Sequence, residues 1–563
     1  MKSLVFSYSR EYCPSCHSRL KVYRLSRRMV KSMQGEFTAV HRIRICPVEG
    51  MIFRSDILDG IISKKCTYAN DIMIDAAMKR FLDGRSCSEI AGEMCNGISS
   101  RHVRNLSNQA LDIFSRIHED SVPKLHEGME SYILQIDGTT DAEFSMMVVV
   151  RDAVSDFVLY AKRCSSESQE SIESVLNTVK ARFGMPSGIT CDMRSGIISA
   201  AQKAFPNIPV RICLMHFLRD LGKDLMADVH TDIGIMINRK GIKSPIKAML
   251  RDMPDYDQGT LDEIGYGFCS HRKSIETMAV RRIMEGIVST GSSGYGFPFS
   301  LRHMNFFTAC EDALRKLSDI SGRMEDEDAR ELASLLMKRL SDVTGDIAIR
   351  EKAQKLRDIN SIIFQRIRQA FMVPEHGNLS MDRYNPPMDD PVVHERCTII
   401  FGELDVYLST SIEKHMFSAA KLAVERYRNR ESMLFAQNPD HTIPRTNNGM
   451  EIFFRKMRRN VRKRCGNIST GKILAQSGES LALFQNMGNP EYRKIVFGSE
   501  DISAAFAKKR KQFRKEGMTR RNMLELVAKG TEMILSSSLS ESPYTGDMMV
   551  FAYSSRNDGS GSL

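Results

Sequence analysis

The chain has 563 residues, enough for several domains with at least one large core, and its 42% hydrophobic and 26% charged residues are ordinary for a globular protein. A formal net charge of +11 favours a polyanionic partner. No apolar run approaches the ~20 residues a bilayer span needs, the residues after Phe6 are too polar for a secretory signal, and 13 scattered cysteines fit reduced cytosolic thiols better than a disulfide framework.

In chain order, the first feature is Cys13-Pro14-Ser15-Cys16, a CxxC knuckle. Cys46-Pro47-Val48-Glu49 has the form of its mate with the second cysteine lost. Two such knuckles on facing hairpins place four ligands tetrahedrally around zinc. Cys13, Cys16 and Cys46 supply three, and Glu49, His17, His41 and Cys66 compete for the fourth. The plainer alternative is two β-turns shaped by Pro14 and Pro47.

Residues 71 to 115 read as helical. Ile72, Ile74, Ala76, Ala77, Met78 and Phe81 give an apolar face, and Gly84 marks a stop. A short segment at Cys87–Met94, a break at Asn96-Gly97 and a second segment opened by a Ser99 cap suggest two short helices around a turn. Arg101, His102 and Arg104 cluster at the start of the second, as in a helix-turn-helix whose second helix enters the major groove. The alternative is a helical hairpin that only packs.

From Ser131 the pattern becomes strand-like. Ile133–Ile136 ends at Asp137, Phe144–Val150 and Phe157–Ala161 follow at hairpin spacing, and Asp152 to Asp156 reads as the turn between the last two. A helix with Ile172, Val175, Leu176, Val179 and Phe183 on one face precedes a short strand, Ile189–Cys191, that delivers Asp192. Arg194–Phe205 then reads as a helix and Val210–Cys213 as a strand. The order β-β-β-α-β-α-β is that of a ribonuclease H-like fold, in which the first and fourth strands are neighbours. Asp137 and Asp192 are therefore expected side by side.

Residues 217 to 440 look mainly helical, with segments near Ala329–Leu340, Arg350–Gln369 and Ile412–Arg430. The third acid should come from a helix crossing the sheet. In Thr446-Asn447-Asn448-Gly449-Met450-Glu451 a Thr or Asn caps the helix, and Glu451 falls in its first or second turn. Arg455, Lys456, Arg458, Arg459 and Arg462 follow around a buried stripe of Ile452, Phe453, Met457 and Val461. Metals can take the glutamate while the cations hold phosphates; a capping acid beside a solvated basic face is the alternative. Glu425, Asp141 and Glu143 compete less well for the third position. Lys508 to Lys511 with Arg514, Lys515, Arg520 and Arg521 form another basic block, Met523–Leu535 can form a helix, and Ser554–Leu563 has the composition of a disordered tail.

These residues resemble the DDE transposases, in particular Mutator-like and related prokaryotic insertion-sequence families. The resemblance rests on Asp137-Gly138-Thr139, Cys191-Asp192, Cys213-Leu214-Met215-His216 and the Asn-Asn-x-x-Glu451 helix, in that order, over roughly residues 130 to 220 and 440 to 466. It implies an α/β ribonuclease H-like core with a mixed sheet, interrupted by a large all-α insertion and preceded by a zinc-ribbon-like segment and a helix-turn-helix. The expected boundaries are 1–66 ribbon, 67–125 helix-turn-helix, 126–220 first part of the core, 221–440 insertion, 441–500 last part of the core, and 501–563 basic C-terminal region.

The implied activity is metal-dependent DNA cleavage and strand transfer at mobile-element ends. Asp137, Asp192 and Glu451 would hold two Mg²⁺ or Mn²⁺ ions, with Cys213 and His216 in support and Zn²⁺ at the ribbon. The implied partners are double-stranded DNA and further copies of the chain, a homodimer or larger assembly, in a nucleoid-associated cytoplasmic setting. Two rivals are a DNA-binding regulator whose ribonuclease H-like domain is inactive, and a nuclease without strand transfer.

Overall fold

The computed structural model describes residues 2–64, 66–94, 97–141, 144–164, 168–267, 270–290, 296–373, 390–410, 413–440, 442–466, 470–512 and Val527. Asn96, Glu143, Ile412, the basic residues from 514 to 521, the rest of the expected helix over 523–535 and the tail from 554 lie outside them. The chain is a mixed α/β protein that divides into two compact units, Met1–Asp75 with Glu500–Leu563, and Ala76–Ser499.

In the first unit, β1 (Lys2–Ser7), β2 (Lys21–Ser32), β3 (Gly35–Ile45) and β4 (Ile52–Phe53) form one sheet. β3 runs parallel to β1 and antiparallel to β2 and β4. One face of this sheet contributes Val30 and Ala39 to a small core closed by Leu58, Ile62 and Ala69. A helix over 502–512 belongs to the same unit, and its Arg510 donates to Asn70 Oδ1 at 2.7 Å.

The second unit is built on a five-stranded sheet of β5 (Ile133–Asp141), β6 (Phe144–Asp152), β7 (Val158–Cys164), β8 (Gly188–Cys191) and β9 (Val210–Ile212). Its spatial order is β7-β6-β5-β8-β9. β5, β6 and β7 form an antiparallel meander, and β8 and β9 continue from β5 in parallel. Met146, Met147, Val148, Val149 and Val150 are each fully buried, so both faces of the sheet are covered. Helices Gln169–Phe183 and Gly471–Phe484 pack against β6 and β7.

The expected pair of short helices is corrected. Helix Cys87–Glu93 is short, opened by a capping box between Ser86 and Glu89. The next helix runs 29 residues, Ser100–Gly128, passing through Pro123. Its apolar positions explain the length: Val103, Leu106, Ala110, Ile113, Phe114, Ile117, Val122 and Leu125 keep one buried stripe going over the whole span.

Between Leu214 and Leu434 the described residues hold helices and no strand. Of the segments read from the sequence, Ala329–Leu340 lies within helix Glu327–Thr344, Arg350–Gln369 runs through helix Ile347–Asp358, a π-helical turn at Ile359–Phe364 and helix Gln365–Ala370, and Ile412–Arg430 contains the shorter helix Lys414–Arg428. The chain returns to the sheet's edge through residues 443–447, which form no strand of their own. There Gly188 leaves room for Ile443, whose Cδ1 would lie 2.5 Å from a Cβ at that position.

Candidate active site

The β5–β8 register sets the first two acids. Leu134 pairs with Ile189 and Gln135 with Thr190, so Asp137 and Asp192, each two residues further, stand at the same level. Asp192 follows the end of β8 as expected, whereas Asp137 does not end its strand, because β5 stays paired with β6 as far as Asp141. Both are buried, at 8% and 4% exposure. Asp137 Oδ1 accepts the Gly138 N–H at 2.7 Å. Asp192 accepts the Arg194 N–H at 3.1 Å, and its other oxygen faces Arg194 Nε at 3.1 Å.

Burial, then the negative charge of Asp192 and of Glu451, pushes the Asp137 carboxyl up to about 7, against the Gly138 hydrogen bond and Arg194, which pull it down. A carboxyl whose ionisation is made costlier by two neighbouring acids sits in a site short of positive charge.

Glu451 lies in the first turn of helix Asn448–Cys465. Its lead-in is tied to the strands one residue at a time. Thr190 Oγ1 donates to Pro444 O at 3.2 Å, the Leu214 N–H to Arg445 O at 2.9 Å, Arg211 to Ile443 O at 2.9 Å, and Arg151 to Gly449 O at 3.0 Å. Gly449 lets this approach happen, because a Cβ there would stand 3.1 Å from the Arg151 guanidinium. Asn447, fully buried, donates its backbone N–H to Cys213 Sγ at 3.2 Å and its side-chain amide to Ile136 O at 3.1 Å.

Asn447 is the helix N-cap by position, but its side chain makes no capping hydrogen bond. The capping role expected of the Thr-Asn-Asn run is thus corrected for Asn447, whose amide reaches across to β5.

Cys213 stands at the N-cap of helix Leu214–Arg239 without making a side-chain cap hydrogen bond, and its thiol accepts the Asn447 N–H. Burial pushes that thiol up to about 11, so it stays protonated while accepting that bond. His216 follows on the first turn, with Nε2 3.9 Å from Glu451 Oε1 and a buried Nδ1 that lacks a hydrogen-bond partner. Burial lowers its pKa more than Asp192 and Glu451 raise it. Arg219 Nη1 approaches Glu451 Oε1 at 3.5 Å.

Asp137, Asp192 and Glu451 interact electrostatically, but they do not close to within 4.8 Å of one another as a set of ligand atoms. Glu425 is exposed and faces Lys421 at 3.9 Å, and Asp141 ends β5.

The proposed DNA contacts divide. Arg101, His102 and Arg104 are exposed on the first turn of their helix, and Arg455, Lys456, Arg459 and Arg462 are exposed on theirs. Arg458 turns inward instead, to the Thr139 hydroxyl and the Thr140 carbonyl.

In the first unit Cys13, Cys16, Cys46 and Glu49 bring four ligand atoms within 4.8 Å of one another, a set that can hold a zinc-like metal ion. The two knuckles repeat one turn: the His17 N–H bonds to Cys13 O and the Gly50 N–H to Cys46 O, both at 3.0 Å. Glu49 thus occupies the position that Cys16 occupies in the other knuckle. Burial raises the Cys46 thiol, but the Ser18 hydroxyl, the Glu49 N–H and Cys16 outweigh it and bring it down to about 7. The rival fourth ligands are elsewhere: His41 Nε2 accepts the Ser55 N–H at 3.1 Å, Cys66 faces Arg510, and His17 is outside the set. A second group, Asp358, Glu413 and His415, lies on the helical segment and was not visible as a motif.

Sequence reasoning did not single out Arg219, Arg151, Thr190 or Arg211. Arg219 had a signal, lying three residues past His216 on the same helix face. The others act through contacts far apart in sequence, for which a single chain offers none.

No family model matches the chain, and no curated protein does. Among solved structures, a chain of the Drosophila P element transposase strand transfer complex is similar at 10% identity. The match covers 76% of this chain and 94% of that chain with a TM-score of 0.28, a likeness too slight to carry an argument. Among the described residues, no helix is long and apolar enough to cross a membrane.

Proposed function

We propose that the chain is a DDE-type transposase with a ribonuclease H-like core, cleaving DNA at the ends of a mobile element and joining the freed 3′-hydroxyl to a target. The observation that carries this reading is the placement of Asp137, in the middle of β5, beside Asp192, just past the end of the parallel strand β8, with the Glu451 helix docked against β5 through Asn447. The sheet order, with an antiparallel meander followed by two parallel strands on one side, is the one such a core requires.

The donor set fits divalent cations. Two buried carboxylates and a third nearby, with Asp137 pushed up to about 7 by burial and by the other two acids, are the hard oxygen ligands that Mg²⁺ and Mn²⁺ select. When bound, such ions lower the pKa of a hydroxyl nucleophile and neutralise charge on the leaving oxygen. Asp137, Asp192 and Glu451 are the residues that would hold these ions. His216, whose pKa burial lowers, stands 3.9 Å from Glu451 and takes a proton beside it. The exposed arginines and lysines of the two basic helices hold backbone phosphates of double-stranded DNA, and two copies of the chain are needed to hold two ends.

The test is nicking of a plasmid carrying the flanking sequence of the gene, with Mn²⁺ or Mg²⁺. Asp137→Asn, Asp192→Asn and Glu451→Gln should each lose cleavage while still binding DNA. Cleavage at wild-type rate in any of them removes that residue from the site.

One observation favours the reading of a DNA-binding protein with an inactive core. Glu451 is held 3.5 Å from Arg219, and the three acids are not closed into one ligand set. Absence of metal-dependent cleavage by the wild-type chain, with sequence-specific binding retained, would decide for it.

A further inference from the structure

Helix Asn70–Phe81 and helix Asn448–Cys465 meet at their C-terminal ends. Asn460 Nδ2 donates to Leu82 O at 2.7 Å, and Lys463 Nζ to Asp83 O at 3.2 Å. At this junction two arginines share one aromatic ring: the guanidinium carbons of Arg80 and Arg464 each lie 4.9 Å from the centroid of Phe81. The ring is fixed, 2% exposed and edge-on to Phe484 at 5.6 Å.

The charge accounting at this junction does not close. Arg80 donates to the Ser107 hydroxyl at 2.7 Å, to Asn108 Oδ1 at 2.8 Å and to Arg104 O at 3.3 Å, and every one of these acceptors is neutral. Arg464 has a buried Nε with no hydrogen-bond partner. Among the described residues no carboxylate oxygen lies within 4.0 Å of either guanidinium. The nearby Glu93 is engaged by Arg85 and Lys79, and Glu89 by the Ser86 N–H.

Burial lowers the pKa of both arginines. Arg104 lowers Arg80 further, and Arg80 lowers Arg464. Cys87 and Cys465 offset this in part, and neither is a carboxylate. Two partly buried like charges without an acid cost stability unless an anion completes them. Both remain partly exposed, so an anion can reach them.

We propose that Arg80 and Arg464, arranged around Phe81, form a phosphate pocket that takes one backbone phosphodiester of DNA. Two planar forks suit the tetrahedral oxygens of phosphate better than a single carboxylate. The choice of DNA over free phosphate follows from what flanks the pocket. Arg80 is bonded to the helix that presents Arg101, His102 and Arg104, and Arg464 ends the helix that presents Arg455, Lys456 and Arg459. The pocket thus joins two cationic helices where one duplex backbone could run across both. This rests on the nucleic-acid reading above and adds to it a site outside the carboxylate centre.

The experiment uses the full chain, a fluorescent DNA duplex and a salt series. Arg464→Met should weaken binding and flatten the slope of log Kd against log salt by about 0.9, one phosphate contact. Its thermal midpoint without DNA should hold or rise, because an uncompensated charge has been removed. Arg464→Lys, which keeps the charge and loses the fork, should fall between wild type and Arg464→Met.

An unchanged slope in both variants overturns the pocket, as does a large drop in the DNA-free midpoint of Arg464→Met with no change in slope. Inorganic phosphate that raises the midpoint of wild type but not of Arg464→Met, while the duplex slope stays unchanged, overturns the DNA assignment in favour of the free anion. The functional reading fails separately: cleavage retained in Asp137→Asn sinks that reading, while a flattened slope in Arg464→Met still upholds the pocket.

Discussion

Asn447 donates its side-chain amide to the carbonyl of Ile136 at 3.1 Å, and Ile136 is the residue before Asp137. The lead-in to the Glu451 helix is therefore bonded to the strand that delivers the first aspartate. Both partners are fully buried, so Asn447→Ala leaves a buried carbonyl unsatisfied, at a cost of about 1–3 kcal/mol. Urea unfolding measures that loss, and a Mn²⁺ titration should show weaker binding because Glu451 is no longer held in register. Wild-type stability in Asn447→Ala would mean the bond does not form.

Asp137→Asn should raise stability in the absence of metal. The carboxyl is pushed up to about 7 by burial and by the charges of Asp192 and Glu451, and asparagine keeps an oxygen for the Gly138 N–H while removing the charge. Adding Mn²⁺ should then protect the wild-type chain and not the variant. Binding at a hundredfold excess over Kd stabilises by about 2.7 kcal/mol. A variant less stable than wild type in EDTA would show that repulsion does not dominate at this position.

Zinc bound at Cys13, Cys16, Cys46 and Glu49 predicts one ion per chain by elemental analysis. Because Glu49 repeats the turn position of Cys16, Glu49→Cys should complete four thiolates and make the ion harder to strip with a chelator. Cys46→Ser should lose the ion and unfold the small cluster of Cys13, Leu20 and Phe53 around it. Equal chelator resistance in wild type and Glu49→Cys would place Glu49 outside the coordination.

The helical segment carries a pH-dependent element. His230 Nε2 accepts the His303 backbone N–H at 3.1 Å, and its ring stacks on Phe297. Burial, then His303, lowers His230 to about 4. The folded state therefore binds this proton less readily than the unfolded chain, whose histidine titrates near 6.5. The stabilisation is present above pH 6.5 and is lost as pH falls toward 4, at up to about 1.4 kcal/mol per pH unit. His230→Gln keeps an acceptor for the His303 N–H and should flatten the stability curve over that window. An unchanged acid limb in the variant would assign the titration to another group, His303 first, since burial lowers its pKa as well.

How much of this was legible in the sequence depends on the range of the interaction. The neighbouring positions of Asp137 and Asp192 were readable because the order of elements implies which strands are adjacent, and Asp192 does close its strand. Asp137 does not, since the polar run Asp137-Gly138-Thr139 stays in β5 by pairing with Val149, Val148 and Met147 of β6. The helical segment was readable from its periodicity. The length of helix Ser100–Gly128 was not, because the break before it and the basic start suggested a small motif while the buried stripe continued for eight turns. Asn447 was seen only as a cap, since local rules describe an Asn before a helix by its own N–H groups and not by a carbonyl 311 positions away. Arg211 was not singled out, since its partners lie far along the chain.

Arg211 is in fact 1% exposed, and it links the sheet to the helical segment. From β9 it makes a two-point contact with Asp390, at 2.6 and 3.0 Å, and also donates to Ile443 O. Asp390 opens the helix Asp390–Thr410, and Arg445 stands 3.6 Å from it. A buried pair of this kind adds little net stability over an apolar pair, but removing one partner strands the other, at about 3–5 kcal/mol. Asp390→Asn should be the costlier single change, because it leaves Arg211 buried without a counter-charge, whereas Arg211→Met leaves Asp390 beside Arg445. The double variant Arg211→Met/Asp390→Leu should be more stable than the sum of the single losses predicts, by about 0.5–3 kcal/mol of coupling in urea unfolding. Because Arg211 also holds the lead-in to Glu451, Asp390→Asn should weaken Mn²⁺ binding although Asp390 touches none of the three acids. Additive losses with unchanged Mn²⁺ affinity would mean that the helical segment and the carboxylate site are energetically independent.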